Sequence, residues 1–295
     1  MNMSLTQSIH KLTGNRFRGL KKKIRHAFAP VTRTVFGTFG IDELEAEITK
    51  HIGGDYEILF VHSSVDRLYP LFIGDAFQLL QMFEKMQGSS QTLVMPAFFF
   101  GDSGGDMIAW YRDKPVFKSK RTPSQMGILT ELFRRSPDVK RSLHPTHSIC
   151  ARGALAKELT ANHHLAETTF GIGTPYDIMN RHKTVILGMG IPPDLALTQM
   201  HHVEDILGDE FPVKFEMVEI PVTIIDEKKN QFQYNLRKPF FEKTRNASLL
   251  FKLMRPDQYE IWSFHGIPMF KTTAGDITQT LLDAAKKGRA IYGKG

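Results

Sequence analysis

A chain of 295 residues can bury a sizeable core, and one large domain or two smaller ones both fit its length. The first forty residues carry eight Lys or Arg and no acidic residue. The rest holds 30 basic and 31 acidic side chains, so a basic arm precedes a nearly neutral body. That split gives no support to nucleic-acid binding by the body, and a lone cysteine, Cys150, excludes an intrachain disulfide and a zinc ribbon.

In the arm, Phe17, Leu20, Ile24 and Phe28 recur at helical spacing between Lys21, Lys22, Lys23 and Arg25, which predicts a basic amphipathic helix. Its stripe can dock on the protein's own body, on a second subunit of a homo-oligomer, or peripherally on an anionic membrane. No secretory pattern opens the chain, and no apolar run approaches the ~20 residues that span a bilayer, so the expected location is cytoplasmic. Asn246-Ala247-Ser248 matches the glycosylation pattern, which without secretion is a chance match.

We expect residues 1–40 to form the arm and 41–295 a single domain of alternating helices and strands, an α/β fold. A helix opens at Asp42 and stops at Gly53; residues 57–62 read as a buried strand followed by a polar Ser63-Ser64 turn. Residues 75–86 read as a helix and 92–95 as a strand ended by Pro96. Residues 97–123 read as one long loop, and 125–135 as a helix capped by Ser124. Further strands are expected at 147–151 and 184–187, with helices at 154–163, 174–181 (capped by Thr174), 198–207 and 276–287. Residues 213–218, 222–225 and 232–236 read as short antiparallel strands around a charged turn.

Two histidine clusters carry the chemistry. In RSLHPTHSIC, His144 and His147 stand three apart, and an imidazole with an ordinary pKa of ~6.5 can take a proton near neutral pH. The second cluster runs from Thr198 to Asp205, where His201 and Glu204 share a helical face. An anionic Glu204 near an imidazole would raise its basicity and fix its tautomer. The clusters could together ligate a metal for hydrolysis, but neither has the HExxH arrangement, and we assign no metal. GxGxxG, the phosphate-binding GxxxxGK[ST] loop and the GxSxG elbow are all absent, which disfavours common nucleotide sites and serine hydrolases. Ser63 and Ser64 end a strand, and Thr122 to Gly127 open a helix, two places where backbone N–H groups can receive an anion or an amide.

Taken together, the ordered blocks LFVHSSVDRL, QTLVMPAF, TPSQMGILTELFRR, RSLHPTHSICARG, FGIGTPYDIM and Thr198-x-x-His201-x-x-Glu204 resemble the aminoglycoside 3-N-acetyltransferase family. The resemblance implies a three-layer α/β/α domain with a mixed central sheet, and transfer of an acyl group from acetyl-CoA directly to an amine. It further implies that His147 is the acid/base residue, with Glu204 and His201 orienting it or facing the acceptor. Ser63, Ser64, Thr122 and Ser124 would line the CoA arm. An ammonium has no lone pair, so a positioned base can contribute ~10² to 10⁴-fold by removing its proton. Backbone N–H groups at 62–64 or 122–127 are candidates for the oxyanion.

The segment DRLYPLFIGDAF departs from the family, whose members carry a glycine-rich stretch there, and puts CoA contacts at that point in doubt. A neutral body does not call for a polycationic acceptor, although Asp102, Asp106 and Asp113 on the long loop could receive an amino sugar. The expectation is therefore an acetyl-CoA-dependent N-acetyltransferase of an amino sugar, a precursor of a glycan or secondary metabolite. The alternatives are an aminoglycoside acetyltransferase conferring antibiotic resistance and a non-catalytic scaffold of the same fold.

Overall fold

The computed structural model describes residues 27–101 and 106–293. The expected helix at Phe17–Phe28 therefore lies outside the described residues, save for its last two. Helix α1 (Ala29–Phe36) follows, and Phe39 is buried against Phe264 and Phe72. Helix α2 (Ile41–Ile52) buries Leu44, Ile48 and Ile52 at spacing four and ends at Gly53, whose φ of 65° suits a residue without Cβ. Strand β1 (Ile58–Ser63), the short helix α3 (Val65–Leu68), helix α4 (Ala76–Met86) and strand β2 (Thr92–Pro96) come next. Asp75 and Gln78 form a reciprocal capping box at the start of α4.

The stretch read as a long loop is structured. Helix α5 (Met107–Asp113) and strand β3 (Val116–Lys118) occupy it, because Asp106 caps the backbone N–H of Ala109 at 3.0 Å and Met107 and Tyr111 bury one face. Helix α6 (Ile128–Arg135) starts three residues later than expected. Gly127, at φ 106°, holds the cap position, while the Ser124 hydroxyl is bonded to Thr130 at 2.9 Å instead of capping. Strands β4 (Lys140–Arg141) and β5 (Ile149–Gly153) precede α7 (Ala156–Ala161), α8 (Pro175–Arg181), strand β6 (Thr184–Met189) and α9 (Met200–Leu207).

Strand β7 (Phe215–Ile225) is a single strand where two were expected at Pro221. Strand β8 (Gln231–Phe241) pairs along its whole length, with Asn235 opposite the proline. Strand β3 reaches only Thr223, so the missing N–H costs no second ladder. Helix α10 (Ser248–Leu253), the hairpin of β9 (Tyr259–Phe264) and β10 (Ile267–Thr273), and helix α11 (Ala274–Ala285) complete the fold.

Seven strands form a mixed sheet in the order β4-β5-β2-β1-β6-β10-β9, with β1, β2 and β6 parallel. Alternation along β1 sends Phe60 to one face and Leu59 and Val61 to the other. The Phe60 face packs with Tyr176, Met179, Val203 and Ile277 from α8, α9 and α11. The opposite face packs with Leu44, Leu79, Phe83 and Phe133 from α2, α4 and α6. The domain is thus a three-layer α/β/α arrangement around a mixed sheet. A separate core joins Tyr111 and Phe117 to Val222, Tyr234 and Leu236 of the three-stranded sheet β3-β7-β8.

The parallel strands end at one edge of the main sheet. Beyond β2, the N–H of Ala97 donates to the Ser148 carbonyl at 2.8 Å and that of Phe99 to the Thr146 carbonyl at 2.9 Å. The ladder therefore continues past the strands and fixes Phe98–Phe100 against Thr146–His147.

Candidate active site

His144 and His147 have different tasks. The His144 ring is buried, and its Nδ1 accepts the backbone N–H groups of Thr146 at 3.2 Å and His147 at 2.9 Å. It stacks on His163 with centroids 4.5 Å apart. Burial first, then the neighbouring His163 and His147, holds it neutral, with a pKa well below 6.5. His144 thus shapes the turn that presents His147.

The His147 ring meets Phe98, Phe100 and Phe170 edge-on at centroid distances of 5.0, 5.1 and 4.8 Å. Burial, with the cationic neighbourhood of His201 and Lys238, keeps its pKa well below 6.5. Its Nδ1 lies 2.9 Å from Thr146 Oγ1, which is 3.4 Å from His144 Nδ1. His144 Nδ1 carries no proton, since it accepts two backbone N–H groups, so toward that ring the Thr146 hydroxyl can only donate, and we assign its proton there. The Thr146 oxygen then accepts from His147 Nδ1–H. This assignment from the network leaves His147 Nε2 with a free lone pair.

Helix α9 brings His201 and Glu204 to one face, as their spacing predicts. Of the two roles expected for Glu204, orienting His147 or facing the acceptor, the structure shows no direct bond for the first, because the carboxylate is bonded elsewhere, while Glu204 does line the same cavity as His147. His201 Nδ1 stands 2.9 Å from Oε2, Arg245 donates to both oxygens at 3.1 and 2.8 Å, and the Tyr292 hydroxyl donates at 2.8 Å. Burial alone would raise the Glu204 pKa, but these donors outweigh it and hold the carboxyl at about 2. Glu204 reaches His147 only indirectly. The His201 ring stacks on Phe170 at 4.7 Å, and Phe170 in turn contacts His147.

His147, His201 and Glu204 line one cavity of about 650 Å³, together with Thr146, Phe100, Phe170, Asp106, Asp205, Arg237, Lys238 and Arg245. Of the loop acids, Asp106 reaches this cavity, Asp113 does not, and Asp102 lies outside the described residues. Arg245, Tyr292, Thr146 and Lys238 were not singled out from sequence. Arg245 and Tyr292 lie 41 and 88 positions from Glu204, beyond any local spacing.

Ser63, Ser64, Thr122 and Ser124 do not line this cavity. Ser63 closes β1 and Ser64 follows it at the edge where the parallel strands end, and among the described residues none bonds either hydroxyl. Thr122 Oγ1 accepts the Lys118 N–H at 3.2 Å, and Ser124 Oγ is held by Thr130 and the Met126 N–H. Most of the expected oxyanion donors are also consumed. Ser64 N–H donates to the Met189 carbonyl, Thr122 N–H to that of Lys118, Ser124 N–H to Glu131 and Gln125 N–H to the Phe98 carbonyl. Among the described residues no cluster of three or more His, Cys, Asp or Glu is arranged for a metal ion, and no helix is long and apolar enough to cross a membrane.

Residues 60–255 match the family described as aminoglycoside 3-N-acetyltransferase. The chain belongs to this family. It is 26% identical over 172 residues to aminoglycoside N(3)-acetyltransferase III of Serratia marcescens, which covers 55% of this chain and 63% of that one. Against aminoglycoside N(3)-acetyltransferase IX of Micromonospora chalcea the figures are 28% over 169 residues, 50% and 59%. The chain thus spans about three fifths of the length of these curated relatives. The solved structure of the AAC-IIIb binary complex with CoASH has the same fold, with a TM-score of 0.68 and 20% identity, covering 87% of this chain and 100% of that one. So does sisomicin-bound AAC-VIa, with a TM-score of 0.69 and 18% identity over 86% and 100%.

Proposed function

We propose that this family member is an acetyl-CoA-dependent N-acetyltransferase whose base is His147. One observation carries the reading: a neutral imidazole, caged by three phenyl rings, lines a cavity large enough for a small acceptor. Acetyl-CoA, when bound, supplies the acyl group as a thioester. The hydroxyls of Ser63 and Ser64, unbonded among the described residues, suit the amide- and phosphate-bearing arm of that molecule, whereas Thr122 and Ser124 are already engaged by their own turn. His147 Nε2 takes the proton that the attacking amine must lose, and Thr146 holds Nδ1–H so that the correct nitrogen is the basic one. The phenyl cage keeps water from the base and keeps the ring unprotonated near neutral pH.

The names of the curated relatives support an aminoglycoside acceptor better than the broader amino-sugar reading that composition favoured. An uncommitted lysine in the cavity favours the second reading, as argued below. The test is release of free CoA from acetyl-CoA in the presence of aminoglycosides and other amino sugars. His147→Ala should lower the rate at least ~10²-fold, and undiminished turnover in that variant would remove His147 as the base.

A further inference from the structure

The charges lining the cavity are committed on one side only. Among the carboxylates, Glu204 is taken by Arg245, His201 and Tyr292. Asp205 accepts the Phe170 N–H at 2.7 Å, and Asp106 caps Ala109. Among the cations, Arg245 is spent on Glu204, and Arg237 pairs with Glu167 at 2.9 Å and Glu219 at 3.0 Å. Lys238 differs. It lies half-buried on β8 with apolar Val218 opposite, and among the described residues no carboxylate comes within ion-pair distance of its ammonium and no ring takes it as a cation–π partner. Burial first, and then the nearby cationic Arg245, disfavour its charge and outweigh the help from Glu204. A half-buried ammonium beside another cation is costly unless an anion meets it.

We infer that Lys238 is an anion subsite of the cavity, taking a phosphate, sulfate or carboxylate carried by the acceptor. This deepens the acetyltransfer reading and rests on it for the word acceptor. It points to an amino sugar that bears a negative group, and away from a purely polycationic one. An anion of the same chemistry is also present in CoA itself, in its phosphates, and the experiment has to separate the two sources.

Inorganic phosphate is the probe, titrated at constant ionic strength against chloride, with the melting temperature of the purified protein as the readout. Phosphate should raise Tm by about 2 °C or more in the wild type. Lys238→Met should abolish that rise, and Lys238→Arg, which keeps the charge, should retain most of it. The same titration is then run with saturating CoA. A phosphate effect that persists with CoA bound assigns the subsite to the acceptor, and one that CoA eliminates assigns it to CoA and overturns the inference. An equal phosphate response in wild type and Lys238→Met also overturns it. Because no turnover is needed, failure here is distinct from failure of the CoA-release assay.

Discussion

Among the described residues, His62, His144, His163 and His202 are buried and the cavity-lining His147 is half-buried; burial holds all five below the ordinary imidazole pKa, and this makes the fold sensitive to mild acid. Burial pushes His62 down to about 3. It also pushes His163 down to about 4, where a hydrogen bond to the Thr169 carbonyl only partly opposes it. In the unfolded chain these rings titrate near 6.5. Between pH 6.5 and 5 the unfolded state therefore binds protons that the folded state refuses, and stability falls as pH falls. At about 1.36 kcal/mol per pKa unit, 1.5 units removes about 2 kcal/mol per ring, or about 4 kcal/mol for His62 and His163. His144 and His147 act in the same direction. Asp205, whose carboxyl is raised by burial, acts oppositely. Against a typical total of about 5–15 kcal/mol, the loss is large. The assay is urea unfolding of the ligand-free protein at half-unit steps from pH 6.5 to 5, repeated on His62→Asn. The variant should lose about 2 kcal/mol of the pH dependence, because its side chain at 62 takes up no proton. Stability that is flat across this window, or the same slope in both proteins, would refute the reasoning.

Thr146→Val removes the oxygen that holds His147 Nδ1–H, so the ring can present the wrong tautomer; kcat for CoA release should fall about tenfold or more while the fold, checked by circular dichroism, survives. Because His147 is neutral well below pH 6.5, log kcat/KM above pH 6 should follow deprotonation of the acceptor amine. Two acceptors of different amine pKa should give shifted profiles, and a shared inflection near 6.5 would contradict the burial of the base. Glu204→Gln leaves Arg245 without its anion and should cost about 2 kcal/mol, seen as a lower Tm. Since the folded Glu204 pKa lies below 4.5, its stabilisation is present above 4.5 and is lost as pH falls through about 2, so the variant's stability should change less over that acid range.

Local signals in the chain were enough for four of the seven strands of the main sheet, β1, β2, β5 and β6, and for part of the site. Strands β1, β2 and β6 are short apolar runs with abrupt ends, and α2 and α8 carry their own caps or stops. His147, His201 and Glu204 sit in compact motifs. Helix α5 was hidden because its neighbours are glycine- and aspartate-rich, although Asp106 with Met107 and Tyr111 at spacing four was a usable signal. The β9–β10 hairpin was missed because β9, an edge strand, buries none of its side chains fully. Its turn rests on His265 and Gly266 at φ 49° and 72°, a conformation that histidine does not advertise. The partner of Glu204 was illegible for a different reason: Arg245 and Tyr292 meet it only when three distant segments close on one another, and no spacing encodes that.

The two walls of the cavity are held by different parts of the fold. His147 is held from the main sheet, by the ladder through Ala97 and Phe99 and by the His144 cap on its turn. Arg141 strengthens that frame. Its guanidinium, pushed down to about 10 by burial yet still charged near neutral pH, donates to Ser148 Oγ and to the carbonyls of Ala97, Ser119 and Thr122, tying three loops together without a carboxylate. The facing wall comes from a different sheet, where β8 contributes Arg237, Lys238, Pro239, Phe240 and Phe241. That sheet has its own core around Val222, Tyr234 and Leu236. A side-chain change on the cavity face of β8 can therefore alter the charge an acceptor meets while leaving the imidazole where it is. On the proposed reading, the acceptor of this chain is therefore to be sought from Lys238 and its neighbours more than from the histidine motif.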